Sequence, residues 1–441
     1  MTERRDSVST PTEGSATRRE FIKTGAVTAV SGAAALMASG NYAYAQGSDK
    51  IRIGLIGCGG RGTGAAAQAL NADPGVVLTA MGDVFKDQIE AHIATLKDQP
   101  KIGTRVQVAP EMQFVGLDAY KRVLDTNVDV VLLTTPPGFR PRHIKAAVDA
   151  GKHIFAEKPM ATDVEGVRIG LAAVRQAKAK KLNFANGFCF RKNLSHREFY
   201  QKLHSGAIGK IRHVHATYLT GPVKSMPPAT ARPAGMSDTE WQIKNWYNFV
   251  WSCGDGLIEQ ACHSIDKIMW AMGDIPPVKA VGTGGRVLPN NEGNIYDHID
   301  VFYEWADGTR GTMAQRQIPC QHNDNSDYIL GAKGFATIHG WQPVIHTDPV
   351  WNYTGVRRDM YQVEHDELFA SIRKGTPMND GEQMAQSTLV GLMGRMAAYT
   401  GQEITWDMMQ QSKESLFPEP LNWNGALPVP PMAVPGKNVF I

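Results

Sequence analysis

In the first half of the chain, apolar residues fall in short runs bounded by Gly, Pro or Asp. Residues 51–57 (IRIGLIG), 76–83 (VVLTAMGD), 128–135 (VDVVLLTT), 152–159 (KHIFAEKP) and 182–188 (LNFANGF) have this form. Runs with little polar alternation suit strands covered on both faces, as in a parallel sheet. The segments 86–97, 117–125, 140–150 and 163–180 read as helices, and an Ala-rich helix follows position 62. Strand–helix alternation at this spacing predicts an α/β fold built on a doubly wound parallel sheet.

The pattern changes after about residue 190. Segments 211–221, 278–285, 297–305 and 310–318 are longer strands with partial alternation, two of them separated by Ala306-Asp307-Gly308. They predict an antiparallel, half-exposed sheet. Helical segments are expected at about 255–272 and 361–374. Residues 222–250, rich in Pro, Met and Trp, read as a loop insertion over a site. The Pro-rich stretch 417–436 should lie extended on a surface. The expected organisation is a leader over 1–45, a nucleotide domain over 46–188, a second domain over 189–410 and a tail over 411–441.

Composition narrows the class. The 441 residues are 42% apolar and 20% charged, with a net charge of +3. These values fit a globular protein of two or three domains. There is no basic block, so nucleic acid is not an expected partner. Five scattered cysteines argue against a disulfide framework or zinc ribbon, and no metal is expected. The N-terminus carries Thr17-Arg18-Arg19-Glu20-Phe21-Ile22-Lys23, a mild apolar stretch over 25–38 and Ala43-Tyr44-Ala45. This is the form of a twin-arginine leader with a cleavage site, so the twin-arginine translocase is an expected partner and the periplasm the expected location.

Gly57, Gly59 and Gly62 fit G-x-G-x-x-G between a strand and a helix, with Gly60 and Arg61 completing the loop. The first glycine permits the turn, the second lets backbone approach a pyrophosphate, and the third lets helix and strand pack closely. Asp83 ends the next strand, where a carboxylate accepts from ribose hydroxyls and repels a 2′-phosphate. NAD is therefore the expected cofactor, ahead of NADP, although Lys86 could attract a phosphate. Thr135, Pro136 and His143 are expected to border the cofactor. Glu157-Lys158-Pro159 ends another strand at the ligand-binding edge of such sheets. There Lys158 would stabilise a developing alkoxide, its pKa lowered by partial burial.

Gly254 to Asp266 is the second dense constellation. On one continuous helix, Glu259, His263 and Asp266 would share a face. A histidine oriented by carboxylates is a suitable general base. Arg191 is a candidate for binding substrate oxygens, with a structural ion pair as the alternative. Trp246, Tyr247 and Trp251 are candidates for stacking on a sugar ring, with packing as the alternative.

The glycine loop, Pro136-Pro137 with His143, Ala150-Gly151-Lys152-His153 with Glu157-Lys158-Pro159, Gly187-Phe188 with Arg191, and Gly331-Ala332-Lys333-Gly334 occur in order. In these the chain resembles the glucose–fructose oxidoreductase/inositol dehydrogenase (Gfo/Idh/MocA) family over essentially its whole length past the leader. The resemblance implies an N-terminal Rossmann domain and a C-terminal α/β domain with a large open, mostly antiparallel sheet. It implies Lys158 and His263 at the nicotinamide, and a dimer or tetramer. The family commonly has Asp where this chain has Glu259, and many members have Asn where this chain has Pro136-Pro137.

The expected activity is oxidation of a carbohydrate or polyol hydroxyl. No nicotinamide pool is maintained outside the cytoplasm, so the cofactor would have to be retained and restored in each cycle. The alternative is an NAD-dependent glycoside hydrolase that oxidises C3 transiently to permit elimination. A non-catalytic sugar-binding protein is disfavoured by Lys158 and His263.

Overall fold

The computed structural model describes residues 49–288, 292–320 and 322–441; the expected leader lies outside them. Strands β1 (Ile51–Ile56), β2 (Val76–Asp83), β3 (Gln113–Val115), β4 (Val130–Leu133), β5 (His153–Ala156) and β6 (Phe184–Asn186) form the first sheet. Its order is β3-β2-β1-β4-β5-β6 and every pair is parallel. β4 is buried throughout and β1 nearly so, which is why these runs carry no polar alternation. The strand order reverses between β1 and β4. At such a point the carboxyl ends of the strands open a crevice for ligand.

The second sheet holds β7 (Ile211–Thr220), β8 (Lys279–Gly285), β9 (His298–Glu304), β10 (Arg310–Gln317), β11 (Asp327–Gly331), β12 (Phe335–His339), β13 (Gln342–His346), β14 (Trp351–Asn352) and β15 (Ile404–Thr405). Their order is β14-β13-β12-β11-β7-β10-β9-β8-β15. Only β7 and β10 pair in parallel; the other neighbours are antiparallel. Along β10, Gly311, Met313, Gln315 and Gln317 turn inward and alternate with more exposed residues, as a sheet with one covered face requires.

The helix Gly381–Thr400, absent from the sequence expectations, covers that face. It packs on β8 and β9 and on the helices Val164–Ala179 and Cys262–Ala271. Buried on nearly every side, it has no polar face and so no amphipathic period to read. Strands β11 to β14 also went unread, because each has five residues or fewer. Residues Lys50–Ile441 form one compact unit. Ile56 and Phe184 of the first sheet share a core with Ile265, Tyr303 and Met396.

The helix expected over 255–272 is two helices, Gly256–Glu259 and Cys262–Ala271. In a continuous helix the Glu259 carbonyl would accept from the His263 N–H. Here it accepts from the Lys158 ammonium. The His263 N–H turns to the Gln260 carbonyl at 3.3 Å. One ion from the first sheet thereby breaks the helix that carries the candidate base.

The tail after the helix Trp406–Gln411 runs extended, as its prolines dictate. Phe417, Leu421 and Trp423 pack over Ile243, Phe249 and Trp251 of the insertion. Asp163 caps the helix Val164–Ala179 through the Gly166 N–H at 2.6 Å and holds the tail through the Leu416 N–H at 2.6 Å. Among the described residues no helix is long and apolar enough to cross a membrane.

Beneath the broken helix, Lys267 pairs with Asp327 at 2.5 Å, the side chains 1% and 2% exposed. Lys267→Met should leave the Asp327 charge buried alone and cost about 3–5 kcal/mol. Lys267→Met with Asp327→Leu should recover most of that loss. Urea unfolding midpoints of the two variants check this; equal loss in both would remove the role assigned to the pair.

Candidate active site

A cavity of about 820 Å³ opens at the crevice between the sheets. The glycine loop forms one end of it. Gly57 has φ +94°, and a Cβ there would lie 2.6 Å from the Thr135 nitrogen. A Cβ on Gly62 would run into the Gly57 carbonyl oxygen, whereas Gly59 and Gly60 face open space. The helix Gly60–Ala72 starts at this point with its first N–H groups toward the cavity edge. The result is a cradle of backbone donors with room for a pyrophosphate.

Asp83 lines the same end. Its carboxylate accepts from the Cys58 N–H at 2.6 Å and the Phe85 N–H at 2.9 Å, which fixes it against the loop. Burial lifts its pKa above the ordinary value even so. Thr135 and Pro136 line the middle of the cavity with His143. His143 Nδ1 lies 3.1 Å from Thr135 Oγ1, and the ring stacks on Tyr120 at 4.2 Å. Burial, with Arg140 and Arg142 nearby, pushes its pKa down to about 3, so the ring is neutral.

The loop residue Arg61 is committed to protein carboxylates. Its guanidinium donates to Glu157 and lies 3.9 Å from Glu364. Burial opposes its charge, but these two carboxylates hold it protonated. Burial also works against the Glu157 charge; Arg61 and Lys158 outweigh it and lower the pKa.

Lys158 reaches across to the second sheet's elements. Its ammonium donates to the Glu259 carbonyl and, at 2.9 Å, to Glu259 Oε1. The residue is 9% exposed. Burial pulls its pKa down, yet Glu259 and its neighbours raise it above the ordinary lysine value. The expectation of a lowered pKa is thus corrected: the partner carboxylate outweighs desolvation. His263, also 9% exposed, lines the cavity beside this pair. Among the described residues no carboxylate orients it, because the helix break turns Glu259 to Lys158. Its Nδ1 is buried without a partner, so Nε2 is the nitrogen the cavity reaches. Burial and the Lys158 and Lys267 charges lower its pKa well below 6.5.

Arg191 and Asp266 stand apart from the cavity. Arg191 is taken by Asp266 at 2.9 Å and by Asp274 at 2.5 Å, and lies over Trp270. Asp266 also accepts from Ser387 at 2.7 Å. With Arg191 held by two carboxylates and Asp266 1% exposed, this pair is the structural ion pair, not a substrate contact. Trp246 and Tyr247 do line the cavity. The buried Tyr247 hydroxyl accepts from Gln317 at 2.6 Å. Trp251 packs instead against Phe139 and Phe417.

Phe190, Tyr218, Asn325, Trp341 and Tyr361 are among the lining residues that carried no sequence signal. They come from separate strands, turns and helices, outside any local motif. Among the described residues no group of His, Cys, Asp and Glu side chains could hold a metal ion.

Residues 51–184 match the oxidoreductase family with an NAD-binding Rossmann fold, and 196–337 match the GFO/IDH/MocA C-terminal domain. An inositol 2-dehydrogenase of Rhizobium meliloti is 24% identical over 351 residues, covering 75% of this chain and 92% of that protein. A glycosyl hydrolase family 109 protein of Shewanella amazonensis is 24% identical over 284 residues, covering 64% and 54% respectively. The WlbA dehydrogenase from Bordetella pertussis, solved with NADH and UDP-GlcNAcA, superposes with a TM-score of 0.62 at 21% identity, covering 81% of this chain and 98% of that one. With a glycine cradle, an acidic second strand and a lysine–histidine pair in one cavity, the chain belongs to the Gfo/Idh/MocA family and is an NAD-dependent oxidoreductase of the inositol and sugar dehydrogenase type.

Proposed function

We propose that this enzyme oxidises a secondary hydroxyl of a carbohydrate or polyol, that it is exported, and that it retains its NAD. The observation that carries the reading is the meeting of Lys158 and His263 in the cavity that ends at the glycine cradle. When bound, NAD supplies a hydride acceptor. The Gly57–Gly62 loop and Asp83 would hold it.

The protein's own part is proton handling and orientation. An ammonium has three donors. Glu259 takes two of those on Lys158, which leaves one for the substrate oxygen. That donor stabilises negative charge on the oxygen as its proton leaves. His263 Nε2 takes the proton, since the lowered pKa keeps the imidazole in its base form. Trp246 and Tyr247 form part of the wall of the site.

A second reading is a redox glycoside hydrolase, motivated by relatives named as glycosyl hydrolase family 109 proteins. Conventional hydrolysis needs two free carboxyl groups. Glu157 and Glu259, the carboxylates beside Lys158, are both engaged with cations, so cleavage at this end of the cavity fits a route through a transient ketone. The leader motif Arg18-Arg19 motivates export, and export motivates retention.

His263→Asn should cut turnover by about 10²–10⁴-fold while bound cofactor remains, and Lys158→Met should do the same. In the wild type the acid limb of kcat/KM should fall below pH 6.5, because His263 stays neutral down to its lowered pKa. A limb centred above that value would exclude His263 as the base. Protein recovered from the periplasm should release NAD or NADH on denaturation, near one per chain. An empty preparation would refute retention, and normal export of the variant with Arg18→Lys and Arg19→Lys would refute the leader. Turnover of an aryl glycoside in heavy water separates the two readings. Free sugar with deuterium at C2 and unchanged oxidation state marks the hydrolase; a keto sugar or lactone without C2 exchange marks the dehydrogenase.

A further inference from the structure

Past His263 the cavity continues along residues that the proton chemistry does not use. Phe190 lies edge-on to His263 at 5.5 Å between ring centroids, and Trp341 lies edge-on to Phe190 at 6.0 Å. Trp341 thus stands one ring further out than the imidazole. It lines the cavity yet is 50% exposed.

Its backbone is strained. The His339↔Gln342 pairing closes the β12–β13 hairpin around Gly340 and Trp341. Both residues have left-handed backbone, with φ of +51° and +64°. Two-residue turns of this kind favour Gly or Asn, and a bulky residue there is a true outlier. Packing does not account for it, because half of the side chain is open. An outlier held at a cavity mouth points to use of the side chain.

The chemistry around it fits a sugar. The indole offers a flat apolar face, and its N–H makes no hydrogen bond among the described residues. Asn325, on the same cavity, is approached at its Oδ1 by Lys267 at 3.5 Å, which leaves its amide NH₂ as a donor. The Tyr218 hydroxyl donates to Gln260 at 2.7 Å and keeps its oxygen as an acceptor. A pyranose ring presents C–H groups on its face and hydroxyls at its rim. It would stack on the indole and meet these groups. It cannot be the reacting ring, which must reach Lys158 and His263 in the buried part.

We infer that Trp341 is the platform of an outer subsite for the second pyranose ring of a disaccharide. This rests on the carbohydrate reading above and narrows it to glycosides. The test is calorimetric titration of the NAD-loaded enzyme with cellobiose, maltose, lactose and chitobiose, each beside its monosaccharides. At least one disaccharide should bind about tenfold more tightly than its component sugars. Trp341→Gly, which also relieves the backbone, should erase that gain and leave monosaccharide affinity unchanged. Trp341→Phe should keep part of it.

A gain that survives in Trp341→Gly, an equal loss for both sugar classes, or no gain with any disaccharide would overturn the subsite. So would a change of oligomeric state in that variant on sedimentation. Hydride transfer, followed separately by NADH absorbance, tells the two proposals apart. Transfer from monosaccharides with no disaccharide gain sinks only the subsite. A Trp341-dependent gain without transfer from any sugar sinks only the redox reading.

Discussion

The Lys158 ammonium and the Glu259 carboxylate meet at 2.9 Å, each side chain only 10% exposed. Desolvating two charges is expensive, and the pair is tolerable only because further hydrogen bonds satisfy what remains. The Glu259 carbonyl takes a second proton of the ammonium, and Gln260 donates to the free carboxylate oxygen at 2.7 Å. Much of the site follows from this junction. It joins the end of β5 to the helices beside the second sheet, breaks the helix before His263, and sets the charge of the site.

The junction is one part of a chain of alternating charges. Glu364, Arg61, Glu157, Lys158 and Glu259 succeed one another from the helix Met360–Lys374 to the helix Gly256–Glu259. Each inner member has an opposite charge on either side, which offsets its burial. Glu364 at the end meets Arg61 only at 3.9 Å, and burial with the Glu157 charge outweighs Arg61 and Lys192 and pushes its carboxyl pKa up. The chain ties the glycine loop to Lys158. The same residues that shape the cofactor cradle therefore fix the reaction end of the cavity.

His263 is neutral for the complementary reason. It sits among cations, Lys158 and Lys267, with Phe188 and Phe190 edge-on to its ring. Among the described residues no carboxylate offsets these charges at the ring, which disfavours the imidazolium. Two environments that meet in one cavity thus hold Lys158 protonated and the His263 ring neutral.

The first sheet was legible in the sequence because its strands are buried on both faces and its turns are marked by Gly, Pro and Asp. The glycine loop, Asp83, Lys158 and His263 were legible because their chemistry needs particular residues at fixed local spacing. Asp266 was placed beside His263 on helical spacing, and the fold pairs it with Arg191 instead, which fulfils the structural ion pair that the sequence left open for Arg191. The helix Gly381–Thr400 was hidden because burial on every side erases periodicity. Phe190, Tyr218, Asn325 and Trp341 meet only when β7, β11 and the β12–β13 hairpin are brought to one cavity. What lies in one short segment, the sequence determined alone: the strands of the first sheet, the glycine loop and the segments that carry Lys158 and His263. Which carboxylate serves which cation, and which distant aromatics join the cavity, only the tertiary structure decided, because those partners lie scores of residues apart and are chosen by packing.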